Sequence, residues 1–342
     1  MISATVYFTV FAQFVAAFNY IGQGLPATPI NAPGLAHPQA YKGYPNAGIG
    51  PAQNKFSDAL AFDIQHPGYV PTGVNPQTCT PQRGQYPVIL IPGTAETAYD
   101  TWAKIGPKLA SEGLCVYTFN HNPIQILSNQ TIIGSSAFAG DITQSAAALS
   151  AIIDDVIART GVCKVDLVGH SQGGGALPTY YLKNLMATPK VRKLVSLAPS
   201  YGTDLLGLNT LLEGLLHGGL TNPGKPLDVL AADFNLQGLA QQLISSPFML
   251  KLHQNGLAVS GVEYTNVATR FDDILTPYTN CLFTQSGMNI KNVLIQDVCG
   301  LDFSDHLRLT YSSNIYWLVR NTLLGQQRQP PCSLEIGFFI WK

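Results

Sequence analysis

From Pro87 onward, short all-apolar runs alternate with longer stretches of helical spacing, and no other feature constrains the fold as tightly. Val88-Ile89-Leu90-Ile91 stops at Pro92-Gly93, the pattern of a short strand buried on both faces. Residues 99–112 read as a helix and Leu114 to Phe119 as a second strand. Over 138–160, Ile142, Ala146, Leu149, Ile152, Ile153 and Val156 form one helical stripe, closed by Gly161 as a C-cap. Val165 to Val168 is a third strand, 173–187 a helix, Val191 to Leu197 a fourth strand, Val262 to Ala268 a fifth and Lys291 to Val298 a sixth. A final helix is expected over 312–324. Such alternation predicts an α/β fold with a mostly parallel sheet and helices on both faces. In such sheets the chemistry lies at the carboxyl ends of the strands.

The flanks of this block read differently. Residues 21–85 hold ten of the 23 prolines and keep no period, so an irregular extension laid on the main domain at 86–342 is expected. The apolar run from Ala4 to Phe18 is shorter than the roughly 20 residues of a membrane span. It has the length of a signal-peptide core, with Ala16-Ala17 as a cleavage site, although Lys and Arg are missing before it. Residues 1–20 are therefore expected to be a signal peptide and the protein to be secreted, with no transmembrane span in the mature chain. The six cysteines form no CxxC pair, which argues against zinc and for disulfides. Asn129 heads the one N-x-[ST] sequon and is a glycosylation candidate. Charged residues are only 11% of the chain and its net charge is −1, which excludes a basic surface for nucleic acid.

Between the fourth and fifth strands, 201–255 is too long for a plain crossover. It carries Leu205, Leu206, Leu208, Leu211, Leu212, Leu215 and Leu216, then a second leucine-rich stretch at 236–252. A helical cap over the site is expected here, and the sequence leaves open whether it is a mobile lid or a rigid helix pair.

Gly169-His170-Ser171-Gln172-Gly173 is a G-x-S-x-G string. The string alone is weak; its place between a predicted strand and a predicted helix makes it specific. A tight turn there strains the serine backbone, admits only glycine on either side, and presents the hydroxyl at a helix N-terminus. A serine nucleophile needs a base, and the base an orienting carboxylate, in chain order Ser, acid, His. His217 and His253 fall in the cap, whereas His306 follows the last strand, so His306 is the expected base. Asp272 and Asp273 both follow the fifth strand; Asp272 is favoured, with the other expected as a loop cap or partner of Arg270. Backbone N–H groups of Gln172 and Thr94 are expected to form the oxyanion hole.

These four segments, Ile91-Pro92-Gly93-Thr94, Val168 to Gly174, Ala268 to Asp273 and Leu301 to His306, together resemble the class-2 extracellular microbial lipases and esterases, α/β-hydrolases that include lipase-B-type yeast enzymes. The likeness covers Tyr86 to Leu324. It implies the α/β-hydrolase fold, the triad Ser171, Asp272 and His306, and an oxyanion hole at Thr94 and Gln172. Pro92 stands where many relatives carry the His of a His-Gly pair, but the lipase-B type is similar in having Pro-Gly-Thr. The lipase-B type also resembles this chain in pairing Cys79 with Cys115. Topology adds Cys281 with Cys299 and Cys163 with Cys332, out of 15 pairings that six cysteines allow.

The expected activity is hydrolysis of lipid esters through an acyl-enzyme, by a triacylglycerol lipase or carboxylesterase with no cofactor and no metal. The expected state is a monomer meeting its ester at a lipid–water interface. A serine peptidase, a transacylase of the same fold and a non-catalytic lipid-binding protein are the alternatives, separable by amide turnover, product analysis and loss of a triad member.

Overall fold

The computed structural model describes residues 44–94, 96–121, 140–202, 237–285, 289–329 and 331–337, with two short strands at 127–128 and 131–132. The expected signal peptide at 1–20, the sequon at Asn129, His217 and the leucines from Leu205 to Leu216 lie outside the described residues.

Residues 44–85, read from the sequence as irregular, contain strand β1 (Gly48–Gly50), helix α1 (Phe56–Gln65) and strand β2 (Tyr69–Pro71), with β1 and β2 paired in parallel. The helix buries Phe56, Ala59, Leu60 and Asp63, an i, i+3, i+4, i+7 stripe too short to stand out among the prolines. Phe62 stacks on Tyr99 with ring centroids 4.8 Å apart, fixing this segment to the main body.

The main sheet comprises β3 (Val88–Ile91), β4 (Val116–Thr118), β5 (Val165–His170), β6 (Val191–Leu197), β7 (Glu263–Ala268) and β8 (Ile290–Leu294). Its strand order is β8-β7-β6-β5-β3-β4, and every pairing in it is parallel. Successive residues of β3 face opposite sides, as strand geometry requires. Ile89 and Ile91 join a core with the stripe of α2 (Ile142–Thr160) and with Leu177. Val88 and Leu90 join a second core with Trp102, Ile105 and Leu109 on one flank and Ile315, Leu318 and Val319 on the other. Burial of each such aliphatic side chain contributes on the order of 2 kcal/mol. The helix α2 is capped by Asp141, which accepts the Thr143 N–H at 2.8 Å, and ends at Gly161 with φ 70°.

The single helix expected over 173–187 is instead a 3-10 turn (Ser171–Gly173), an α-helical stretch (Ala176–Tyr180) and a π turn (Tyr181–Leu185). Pro178 has no N–H to return to the Gly174 carbonyl, which breaks the α-helical bonding at that point. The strand expected to run to Val298 ends at Leu294 and turns into the helical Ile295–Val298. There Gln296 bridges two loops, donating to Thr269 Oγ1 at 2.9 Å and to the Asp302 carbonyl at 2.8 Å.

Cys79 is bonded to Cys115, but the other two expected pairs are not formed. Cys299 is bonded to Cys332, and Cys163 and Cys281 are free. After the last helix (Ser313–Leu324) the chain returns to the carboxyl end of the sheet instead of staying at the amino end. Glu335–Ile336 pairs in parallel with Asp302–Phe303, which carries Cys332 to Cys299. Cys163 remains exposed, and Cys281 is buried against Leu243, Ala268 and Leu275.

Candidate active site

The end of β5 turns so sharply that Ser171 has φ 52°, in the left-handed region that side chains other than glycine and asparagine avoid at a cost of about 1–3 kcal/mol. Glycine is required on both sides. A Cβ on Gly169 would lie 1.8 Å from the Gly173 carbonyl oxygen, and one on Gly173 would lie 2.2 Å from that of Pro92. The strain is held by backbone hydrogen bonds: the Ser171 carbonyl accepts from Gly175 N at 2.9 Å and from Ser200 N at 3.0 Å.

His306, on the loop after the helical turn that ends at Val298, places Nδ1 2.9 Å from Asp272 Oδ2. The other oxygen of Asp272 accepts the N–H groups of Leu275 at 2.7 Å and Ile274 at 3.1 Å, so the carboxylate is oriented by its own loop. Burial disfavours a charged imidazole at His306, but the adjacent Asp272 carboxylate outweighs it and raises its pKa above 6.5. With Nδ1 committed to Asp272, Nε2 is the nitrogen that can exchange a proton. The structure thus brings Asp272, not Asp273, to the imidazole. Asp273 Oδ1 meets the His306 backbone N–H at 3.4 Å, and burial beside Asp305 pushes its carboxyl up to about 6. Arg270 pairs with Asp297 at 3.1 Å and not with Asp273, because the side chain points along the surface towards the helical turn after β8.

At the expected oxyanion site, Gln172 Nε2 and Gln242 Nε2 donate to the Thr94 hydroxyl at 3.0 and 2.9 Å. That hydroxyl accepts twice and keeps its own proton to give. Gln242 follows a helix (Gln237–Gln241) in the second leucine-rich stretch, whose Leu239, Leu243, Met249 and Leu252 are buried. His253 lies apart from this group, its Nε2 2.6 Å from the Tyr201 carbonyl.

Three residues that sequence reasoning missed stand behind these. Glu96 Oε2 accepts from Gly93 N at 2.7 Å and lies 2.8 Å from His170 Nδ1 and 3.2 Å from Thr101 Oγ1. Burial opposes a charge on Glu96, yet His170 and the hydrogen bonds from His170 and Gly93 hold its carboxyl below the ordinary range. His170 Nε2 reaches the His306 carbonyl at 3.0 Å, and the two imidazole rings lie 4.6 Å apart. His121 Nε2 lies 3.0 Å from the Pro92 carbonyl and Nδ1 3.1 Å from Ser145 Oγ; burial lowers its pKa to about 4. Glu96 and His121 belong to no motif, and only the G-x-S-x-G string touches His170.

A serine at a strained strand end, a histidine oriented by a carboxylate and a cluster of N–H and O–H donors are the parts needed for nucleophilic acyl transfer. A family model described as "alpha/beta hydrolase fold" matches residues 86–218. Two curated triacylglycerol lipases, from Pseudarthrobacter phenanthrenivorans and Burkholderia plantarii, are each 36% identical over 95 residues. That stretch is 26% of this chain, and 26% and 23% of the respective relatives. The chain therefore matches about a quarter of the length of these relatives. Among solved structures, lipase B of Aspergillus fumigatus is similar at 19% identity and a TM-score of 0.49, covering 75% of this chain and 61% of that one. The chain has the α/β-hydrolase fold, with the mostly parallel sheet described above.

Proposed function

We propose that this α/β-hydrolase is a secreted serine carboxylic-ester hydrolase acting on lipid esters. The observation that carries this reading is the buried Asp272–His306 pair at 2.9 Å, on the loops that flank a serine held at φ 52°. Ser171 Oγ attacks the ester carbonyl as His306 Nε2 takes its proton, and Asp272 holds the imidazole and stabilises the imidazolium. The Gln172 and Thr94 N–H groups, with the Thr94 hydroxyl, receive the oxyanion. His306 returns the proton to the departing alcohol, leaving an acyl-Ser171 ester that water then cleaves by the same route.

Lipid esters are favoured over polar ones by the leucine-rich stretch that reaches Thr94 through Gln242, with Ile244 and Leu250 exposed on it, and by the activity named for the two partial relatives. Export through residues 1–20 into an oxidising compartment accords with the two disulfides. Among the described residues no helix is long and apolar enough to cross a membrane.

The test is hydrolysis of p-nitrophenyl esters from acetate to palmitate by the wild type and by Ser171→Ala. Turnover should fall by about 10⁴-fold or more in the variant, and the chain-length profile then distinguishes lipase from short-chain esterase. Absence of turnover on every ester by folded, disulfide-intact protein would overturn the reading.

A further inference from the structure

We propose that Glu96 is a positioning residue that locks the oxyanion loop, the strand end before Ser171 and the loop of His306 into one unit. The proposal rests on reading Ser171, His306 and Asp272 as the triad.

One carboxylate oxygen, Glu96 Oε2, meets two separate stretches of chain, Gly93 N at 2.7 Å and His170 Nδ1 at 2.8 Å. Through His170 the link continues to the His306 carbonyl at 3.0 Å. The His306 carbonyl can only accept, so His170 Nε2 donates to it while Nδ1 faces the Glu96 carboxylate. Its location in the interior argues for a purpose beyond stability, since a buried ion pair is commonly no better for stability than apolar side chains of the same volume.

The effect on the oxyanion hole follows from peptide planarity. The Pro92–Gly93 peptide is gripped at both edges, its carbonyl by His121 Nε2 at 3.0 Å and its N–H by Glu96. A planar unit held at both edges cannot rotate. That fixes the N–Cα bond of Gly93, whose φ and ψ glycine leaves free; the far side of the residue is held at the Thr94 hydroxyl by Gln172 and Gln242 at 3.0 and 2.9 Å, so the peptide that carries the Thr94 N–H is anchored at both ends. The space around Gly93 is consistent with this: an added Cβ would meet Glu96 Oε2 at 2.7 Å and Ser171 Cβ at 2.9 Å. The oxyanion loop is thus seated between Glu96 and the nucleophile. Glu96 touches no reacting atom; it acts through the Gly93 peptide and His170.

The experiment compares wild type, Glu96→Ala and Glu96→Gln on p-nitrophenyl butyrate, with kcat expressed per active site counted by the p-nitrophenol burst from diethyl p-nitrophenyl phosphate. A short alkylboronic acid serves as an analogue of the tetrahedral state. Glu96→Ala should lose about 100-fold in kcat per site, the scale of one oxyanion donor, with KM within about twofold. Its boronate inhibition constant should weaken in proportion to the loss in kcat/KM. Glu96→Gln, whose amide oxygen still accepts the Gly93 N–H, should recover about tenfold of that loss. A purely structural role predicts fewer titratable sites and a lower Tm at unchanged kcat per site, and that result overturns the proposal. If Glu96→Ala yields no titratable sites, Glu96→Gln decides alone: tenfold below wild type supports the proposal, and within twofold overturns it. The wild-type burst, absent in Ser171→Ala, tests Ser171 as the nucleophile separately, so an unaffected Glu96 variant counts against Glu96 only.

Discussion

His121 should make the protein acid-sensitive, by an amount the structure fixes. Its imidazole is fully buried, donating to the Pro92 carbonyl and hydrogen-bonded to Ser145 Oγ, so a second ring proton would place a charge out of reach of water. Burial lowers its pKa, against the pull of the Pro92 carbonyl and Glu96, from 6.5 to about 4. Between those values the unfolded chain binds a proton that the native state refuses, so the contribution of His121 to stability is complete above 6.5 and is lost as pH falls towards 4. Each pH unit in that window costs about 1.4 kcal/mol, and a fall from about pH 7 to about pH 5 crosses roughly 1.5 units of it, a loss of about 2 kcal/mol. Asp273, with its carboxyl raised to about 6, works in the opposite sense: its protonated form favours the native state, and that stabilisation is lost as pH rises through the raised value. The comparison is therefore between wild type and His121→Gln, which share every other group, and the Gln amide can still donate to Pro92. Urea denaturation followed by tryptophan fluorescence at the two pH values should show the wild type losing about 2 kcal/mol more than the variant. Parallel losses within about 0.5 kcal/mol would refute the buried neutral imidazole.

The raised pKa of His306 means that its neutral, proton-accepting form is reached only above the ordinary value of 6.5. The acid limb of kcat/KM on a p-nitrophenyl ester should therefore have its midpoint above 6.5, and Asp272→Asn should move it down while lowering kcat. Removing the Cys299–Cys332 bond by Cys332→Ala opens a loop of 33 residues, and chain entropy puts the cost at about 3–4 kcal/mol, measurable as a lowered Tm. In the folded wild type, with both disulfides intact, a bulky maleimide should label exposed Cys163 and spare buried Cys281, as peptide mapping would show.

What was legible in the sequence was whatever repeats a local rule. Val88 to Ile91 and Val191 to Leu197 read as strands because each is short, apolar and punctuated, and both run where the pattern put them. Ser171 stood out because its turn admits only glycine at Gly169 and Gly173, and a requirement of that kind is written in the string itself. Asp272 and His306 were reachable because strand ends are few and chain order limits the choice. Glu96 and His121 were not, since each takes part through long-range contacts that no spacing announces. The Cys332 partner was misread for a related reason. Two residues of strand, Glu335 and Ile336, decide where that cysteine goes, and two residues carry no period. Helix α1 was hidden by its neighbours, one apolar stripe in a segment dense with proline.

The pairing of Glu335–Ile336 with Asp302–Phe303 also sets an order of assembly. A ribosome makes the histidine loop well before it makes the strand that braces it, and 33 residues separate the two joined cysteines. Until that later stretch has emerged, the Leu301 and Phe303 carbonyls lack the N–H groups of Glu335 and Gly337. Completion of the loop that holds His306 therefore waits on a segment outside the sheet, one that the chain reaches only after every strand of that sheet.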